Sequence, residues 1–82
     1  MTLADEIRNY AYRNYIIPAR AKKAPTVTFS AGAIREALAI RGRMSIICDA
    51  IDAMKFEDQY EVKRVARAGP RHGTTACWKF EV

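Results

Sequence analysis

The stretch SAGAIREALAIRGRMSIICDAIDAM, residues 30–54, decides the fold. Ser30 is a favourable N-cap for a helix that runs from Ala31 to about Ala39. Gly42 then breaks the helical pattern inside the turn Arg41–Arg43, and a further helix is predicted from about Met44 to Met54. Two short helices joined by a turn that contains glycine form a helix-turn-helix pattern. The predicted inward positions are Ile34, Ala37 and Leu38 in one helix, and Ile47, Ala50, Ile51 and Met54 in the other.

The N-terminal segment predicts another helix and a basic loop. Thr2 and Asp5 have the spacing of a capping box, and apolar residues follow on one helical face. Pro18 disfavours helical backbone at the preceding residue, so this helix is expected to end near residue 15 or 16. Residues 18–25, PARAKKAP, then form the loop. The segment is amphipathic and contains acids, which excludes a secretory signal and favours a cytoplasmic protein.

Three segments of alternating polar and apolar residues predict strands around the helical pair. In the first segment, Val27 and Phe29 face inward. In the second, the alternation slips at Arg64–Val65, as it does at a β-bulge. The third alternates cleanly, which turns Trp78 and its even-numbered neighbours inward. The strands are predicted at Thr26–Phe29, Tyr60–Arg67 and Thr74–Val82, with a connection at Phe56–Tyr60 and a turn at Ala68–Gly73.

The order of these elements is helix, strand, helix, helix, strand, strand. That order is typical of a winged helix, in which the short first strand pairs with a two-stranded hairpin, the wing. We therefore expect one α+β domain over residues 1–82 with a three-stranded antiparallel sheet, which is enough strands for independent stability. The chain contains no apolar run long enough to span a bilayer, so no membrane partner is expected.

The run Val27–Phe56 also resembles a group of small, mostly archaeal winged-helix proteins. The matching features are Ala31-Gly32 at a helix start, the step Arg43-Met44, Cys48, the closing pair Lys55-Phe56, and Gly69-Pro70 followed by Thr74-Thr75. The resemblance covers about two-thirds of the chain. It implies a winged helix with a DNA-binding role, and it implies no specific activity beyond that.

The charge pattern favours a polyanionic partner. The chain has 14 Lys and Arg against nine Asp and Glu, a net charge of +5. No acid lies between Glu61 and Glu81, whereas five basic residues do, and a second acid-free stretch contains Lys22 and Lys23. One interpretation is that separate basic segments build one positive face. The alternative is that they are solubilising surface charges.

A helix-turn-helix suggests how such a face would bind DNA. The second helix of the pair enters the major groove with its N-terminal residues at the base edges. Arg43 is then the best candidate for a base contact, because a guanidinium matches the acceptor edge of guanine, and Arg41 and Ser45 would hold phosphate. The wing tip would contact the backbone or the minor groove. The predicted nucleic-acid-binding residues are Arg41, Arg43, Ser45, Ile46, Lys63, Arg64, Arg67, Arg71, His72, Lys22 and Lys23.

Asp49 and Asp52 argue against this docking. Both lie off the apolar stripe of the same helix, and a carboxylate near phosphates is repulsive. If both face outward, either the wing is the main contact or the partner is a protein. The sequence therefore leaves two predictions open. One is a transcriptional regulator or architectural protein that binds double-stranded DNA, and the other is a winged-helix protein–protein interaction module that acts as an adaptor or complex subunit.

The remaining reactive residue types favour structural roles. No nucleophile, base and orienting group are spaced for catalysis, so we expect neither enzyme activity nor a cofactor. Cys48 and Cys77 are expected to be reduced, buried or half-buried thiols with no metal role. Trp78 is expected in the core rather than stacked on a base. Tyr10 and Tyr15 are also expected in the core, whereas Tyr12 points away from it and is a candidate for a homodimer surface.

Overall fold

The structure is a computed structural model that describes residues 2–40 and 44–82. In chain order the elements are α1 (Leu3–Ala11), a π-helical turn (Tyr12–Ile16), α2 (Ile17–Ala21), β1 (Thr26–Ser30), α3 (Ala31–Leu38), α4 (Met44–Asp52), α5 (Met54–Tyr60), β2 (Lys63–Ala68) and β3 (Cys77–Glu81). The strands form an antiparallel sheet in the order β1-β3-β2, and α1, α3 and α4 pack on one another. The described chain is therefore α+β with a three-stranded antiparallel sheet, as predicted, while the turn predicted at Arg41–Arg43 lies outside the described residues.

The N-terminal helical segment is longer than the sequence predicted. The capping box is confirmed, since the Thr2 side chain accepts from the Asp5 amide and the Asp5 side chain accepts from the Thr2 amide. The expected end near residue 15 or 16 is wrong, because helical backbone continues to Ala21. The amide of Ile17 bonds to the carbonyl of Tyr12, five residues back, and this wider turn places Pro18 in the first turn of α2, where a missing N–H is tolerated.

Ser30 joins β1 directly to α3. The Ser30 hydroxyl accepts from the amide of Ala33 at 3.3 Å, which confirms the predicted cap. Phe29 is buried as expected, and Val27 is half-buried. At its other end α3 stops at Leu38, because Ala39 has a left-handed backbone with φ 52°. Ala37, predicted to face inward, is exposed.

The second half of the helical region differs from the prediction. The helix expected to reach Met54 ends at Asp52, and the expected connection at 56–60 is α5. Met54, predicted inward, is 75% exposed, whereas Phe56 is fully buried. Phe56 and Tyr60 are four residues apart, so a helix puts both on one face and their rings meet at 5.5 Å between centroids.

The hairpin is shorter than predicted, and its loop is longer. The predicted bulge is confirmed, since Arg64 pairs with Phe80 and Ala66 pairs with Lys79, one position out of step. The strands expected at Tyr60–Arg67 and Thr74–Val82 begin later, at Lys63 and Cys77. Tyr60 belongs to α5, and residues 74–76 bond elsewhere: the carbonyls of Thr74 and Ala76 accept from the amides of Gly32 and Ala31 at the start of α3. We call residues 69–76 the hairpin loop.

The core lies between the sheet and the helices. Phe29 stacks on Tyr15 at 4.6 Å and on Phe80 at 5.7 Å between ring centroids, which joins β1 to the π-helical turn and to β3. Tyr12 does not point away as predicted, because its ring stacks on Tyr60 at 4.3 Å. No helix in the two described ranges is long and apolar enough to cross a membrane. The largest fully buried side chains are Trp78, Phe56, Phe80, Ile7, Ile16, Ile34, Ile47, Ile51 and Cys48.

Candidate nucleic-acid interface

Asp52, the last residue of α4, anchors the hairpin to the helices. Its Oδ1 accepts from Nε1 of Trp78 at 2.7 Å, from Arg64 at 2.9 Å and from Nε of Arg67 at 3.1 Å. Its Oδ2 accepts from Arg67 at 3.2 and 3.3 Å. The Asp52 side chain is 23% exposed. One carboxylate therefore joins α4 to both strands of the hairpin.

Asp52 and the arginines around it stabilise one another in their charged forms. Burial acts to raise the pKa of Asp52, but hydrogen bonds from Arg67 and Trp78 and the charges of both arginines outweigh it, so the pKa lies below its ordinary value. The hydrogen bond with Asp52 also raises the pKa of Arg67 above its ordinary value. Asp52 is therefore ionised at neutral pH and forms ion pairs with Arg64 and Arg67.

Arg67 also shapes the hairpin loop. Beyond Asp52, its guanidinium donates to the carbonyls of Gly69 at 3.1 Å, Pro70 at 3.1 Å and Arg71 at 3.0 Å. Its Cζ lies 5.7 Å from the ring centre of Trp78. Sequence reasoning placed Arg67 on nucleic acid; in the structure each nitrogen of its guanidinium donates to the protein itself. These hydrogen bonds hold the backbone of the hairpin loop against the side chain of Arg67.

Gly69 is required at the start of this loop. Its backbone has φ +86°, a region that side chains rarely adopt. A Cβ there would lie 2.5 Å from the carbonyl oxygen of Thr75 and 2.8 Å from Cα of Ala76. The two ends of the hairpin loop approach each other closely at this point, which leaves no room for a side chain.

The far side of the hairpin loop contacts α4. Nε2 of His72 lies 2.9 Å from Oδ1 of Asp49, and Sγ of Cys48 lies 4.0 Å from the carbonyl of Gly73. The carboxylate of Asp49 is still 59% exposed. Sequence reasoning placed Asp49 and Asp52 off the apolar stripe and left open whether both face outward. The structure gives Asp49 a histidine partner and turns Asp52 inward to the hairpin.

The other predicted residues fall into separate places. Arg71, Lys63 and Arg64 have exposed side chains on the hairpin, with Arg64 held by Asp52. Ser45 and Ile46 are half-buried in the first turn of α4. Lys22 and Lys23 are exposed between α2 and β1. The structure brings residues of the hairpin together with α4, and no contact joins Lys22 or Lys23 to that cluster among the described hydrogen bonds and ion pairs. Arg41 and Arg43 lie outside the described residues.

Sequence reasoning missed two polar roles. Trp78 was expected as an apolar core residue, and it is fully buried, but its indole N–H also holds Asp52. Arg8, which the sequence analysis did not single out, is only 6% exposed, and its side chain donates to Asp5 at 2.9 Å and to the carbonyl of Ala50 at 3.3 Å. The available signal for Arg8 was the acid three residues before it. A buried tryptophan's need for an acceptor was the signal for Trp78.

Other site chemistries find little support in this geometry. Across residues 2–40 and 44–82, no group of three His, Cys, Asp or Glu side chains is placed to hold a metal ion. Cys48 is a buried free thiol and Cys77 a half-buried one, as expected. Burial raises the pKa of the Cys48 thiol, which disfavours its reactive thiolate form. Comparison with protein-family models, with curated proteins and with solved structures finds no match to this chain.

Proposed function

We propose that this chain is a winged-helix protein that binds double-stranded DNA, with α3 and α4 as the helix-turn-helix and the β2–β3 hairpin as the wing. The observation that carries the proposal is the pairing of Asp52 with Arg64 and Arg67 of the hairpin. Asp49 and Asp52 were the main argument against DNA at α4. The two arginines reduce the repulsion that Asp52 would exert on phosphate, which leaves Asp49 as the exposed acid of this helix.

The topology supports the same proposal. A short strand precedes the two helices, a hairpin follows them, and the first strand pairs with the last to give the order β1-β3-β2. This is the arrangement that a winged helix requires. The additional helix α5 lies between the helical pair and the hairpin and does not alter the strand order.

The basic side chains of the hairpin that pair with no described acid support a polyanionic ligand. Lys63, Arg71 and Lys79 are exposed on the hairpin and make no ion pair with another described residue. Arg71 occupies the loop whose backbone Arg67 holds in place, so its side chain projects from a preorganised turn. Preorganised cations bind phosphate with less entropic cost than mobile ones. We therefore assign Arg71 the phosphate contact at the wing.

The proposal is tested by the salt dependence of binding to a random-sequence duplex. Wild-type protein is expected to bind at low salt, with the logarithm of the association constant falling linearly with the logarithm of salt concentration. The variant Arg71→Ala should bind more weakly and reduce the slope by about 1.

Arg13→Ala is the matched control, because Arg13 is an exposed arginine that belongs to the π-helical turn and not to the hairpin. This variant should leave the slope unchanged. Equal effects of the two substitutions would mean that only net charge matters. Failure of the wild type to bind duplex DNA at low salt would overturn the proposal and favour the protein-interaction alternative.

A further inference from the structure

The outer edge of β1 is an unused set of backbone hydrogen-bonding groups. The amide of Ala31 bonds to the carbonyl of Ala76, and the amide of Val82 bonds to the carbonyl of Pro25, both in the register that pairs β1 with β3. Odd-numbered residues of β1 therefore bond to β3. The N–H and C=O groups of Thr26 and Thr28 and the N–H of Ser30 point to the other side, where no described strand pairs with them. The carbonyl of Ser30, the N-cap of α3, belongs to the first turn of that helix.

The two edges of the sheet differ in ways that matter for pairing. The β2 edge carries Lys63, Arg64 and Arg67 and is interrupted by the bulge at Val65, and both features discourage another strand from adding. The β1 edge, TVTFS, has no charged residue, no proline and no bulge. Proteins usually protect such an edge, so its regularity suggests that it is covered in solution.

We propose that β1 pairs with β1 of a second copy of this chain, antiparallel and centred on Thr28, to form a continuous six-stranded sheet across a twofold axis. The outward positions make the strand self-complementary. Thr28 meets Thr28 of the partner copy, and Thr26 meets Ser30, so each pair joins uncharged hydroxyl side chains. Such cross-strand hydroxyl pairs stabilise antiparallel sheets.

The inner face of the paired strands is also complementary. In this register Val27 of one copy lies opposite Phe29 of the other, which pairs a β-branched with an aromatic side chain. Val27 is half-buried in the single chain and would lose its remaining exposure. A shallow groove beside Val27 is lined mainly by small or apolar residues that include Tyr15, Pro18 and Ala19. Apolar surface next to free backbone groups is what an added strand requires.

The expected association is weak and reversible. Five-residue strands bury less surface than standard stable interfaces do. Lys22 also lines the groove, and like charges at the rim oppose association at low salt. The dimer should therefore strengthen as salt increases, the opposite of the trend expected for DNA binding. This inference does not depend on the proposed function.

Sedimentation equilibrium over a concentration series up to the millimolar range tests the pairing. Wild-type protein should show a reversible monomer–dimer equilibrium. In an amide-exchange experiment on the same series, the amides of Thr26 and Thr28 should become protected as concentration rises, while those of β2 should not. A wild type that stays monomeric throughout would overturn the proposal.

Two variants locate the interface. Thr28→Lys places like charges opposite each other on the axis, and Thr28→Pro removes an amide that the sheet of the single chain does not use. Both should be monomeric with an unchanged far-ultraviolet circular dichroism spectrum. Ala66→Lys is the matched control, because it adds the same charge to an exposed position of β2. It should dimerise like the wild type, and dimerisation of folded Thr28→Lys would contradict the proposal.

Discussion

The indole Nε1 of Trp78 donates a 2.7 Å hydrogen bond to Oδ1 of Asp52, and this contact sets how the helices meet the hairpin. Trp78 is fully buried near the start of β3, and Asp52 ends α4. A buried indole N–H that lacks an acceptor is costly, and a buried carboxylate that lacks cations is more so. The carboxylate of Asp52 accepts the indole hydrogen bond, and Arg67 neutralises the charge of that carboxylate. Arg67 also donates to the carbonyls of the hairpin loop.

Asp52→Asn should destabilise the protein by about 2 kcal/mol, a typical contribution of hydrogen bonds to a charged group. Asparagine keeps one acceptor for Trp78 but loses the charge that holds Arg67. Urea denaturation followed by tryptophan fluorescence measures the change directly, because Trp78 is the single tryptophan.

Asp58→Asn is the control for that measurement. Asp58 is an exposed acid on α5, and its replacement makes the same chemical change. Its free energy of unfolding should stay within about 0.5 kcal/mol of the wild type, as surface substitutions usually do. Similar losses in the two variants would show that Asp52 has no special structural role.

The stabilisation by Asp52 should disappear in acid. The pKa of this carboxyl is lower in the folded protein than its ordinary value of 3.8. The unfolded chain therefore binds a proton before the folded one does, so the contribution is complete above the unfolded value and is lost as pH falls through the folded value. Urea titrations of wild type and Asp52→Asn at several pH values should show a constant difference near neutrality that shrinks below 3.8. A difference that grows in acid would contradict the assignment.

Ala39→Gly should stabilise the protein by about 0.5–1 kcal/mol, because Ala39 ends α3 in a left-handed conformation that glycine adopts without steric cost. Ala37→Gly is the opposite control. Ala37 is an exposed residue inside the same helix, where glycine costs roughly 0.5–1 kcal/mol. Thermal and urea unfolding should therefore move in opposite directions for two substitutions that make the same chemical change two residues apart.

The features of the fold that follow local rules could be predicted from the sequence. The caps at Thr2 and Ser30, the alternation of β3 and the bulge near Val65 depend on neighbouring residues, and the structure has all of them. The end of the first helix could not be predicted from Pro18 alone. A proline normally ends a helix, but one wider turn places it where its missing N–H is harmless, and the packing of Ile16 and Ala19 favours that solution.

The candidate site required contacts between segments that are distant in sequence. Arg64 and Arg67 were identified as basic wing residues, and Asp52 as an acid on the preceding helix, but nothing local joins residues 52 and 67. Their pairing depends on how α4 ends against the sheet. Similarly, α5 has a largely polar sequence whose few apolar residues give a weak helical pattern. Burial of Phe56 in the core stabilises this segment as a helix. Tertiary packing overrides a weak local pattern in such segments.

Asp49→Asn should tighten binding to a random-sequence duplex if the proposed function is right and α4 faces the DNA. The substitution is nearly isosteric, removes a carboxylate that is 59% exposed, and releases His72 from its charged partner. Affinity should rise several-fold at low salt, and the gain should shrink as salt screens the charge. Glu36→Gln, which neutralises an exposed acid of α3, is the control for net charge and should have a smaller effect. Fluorescence anisotropy with a labelled duplex measures both. Equal affinities of wild type and Asp49→Asn would place α4 away from the DNA and leave the wing as the contact.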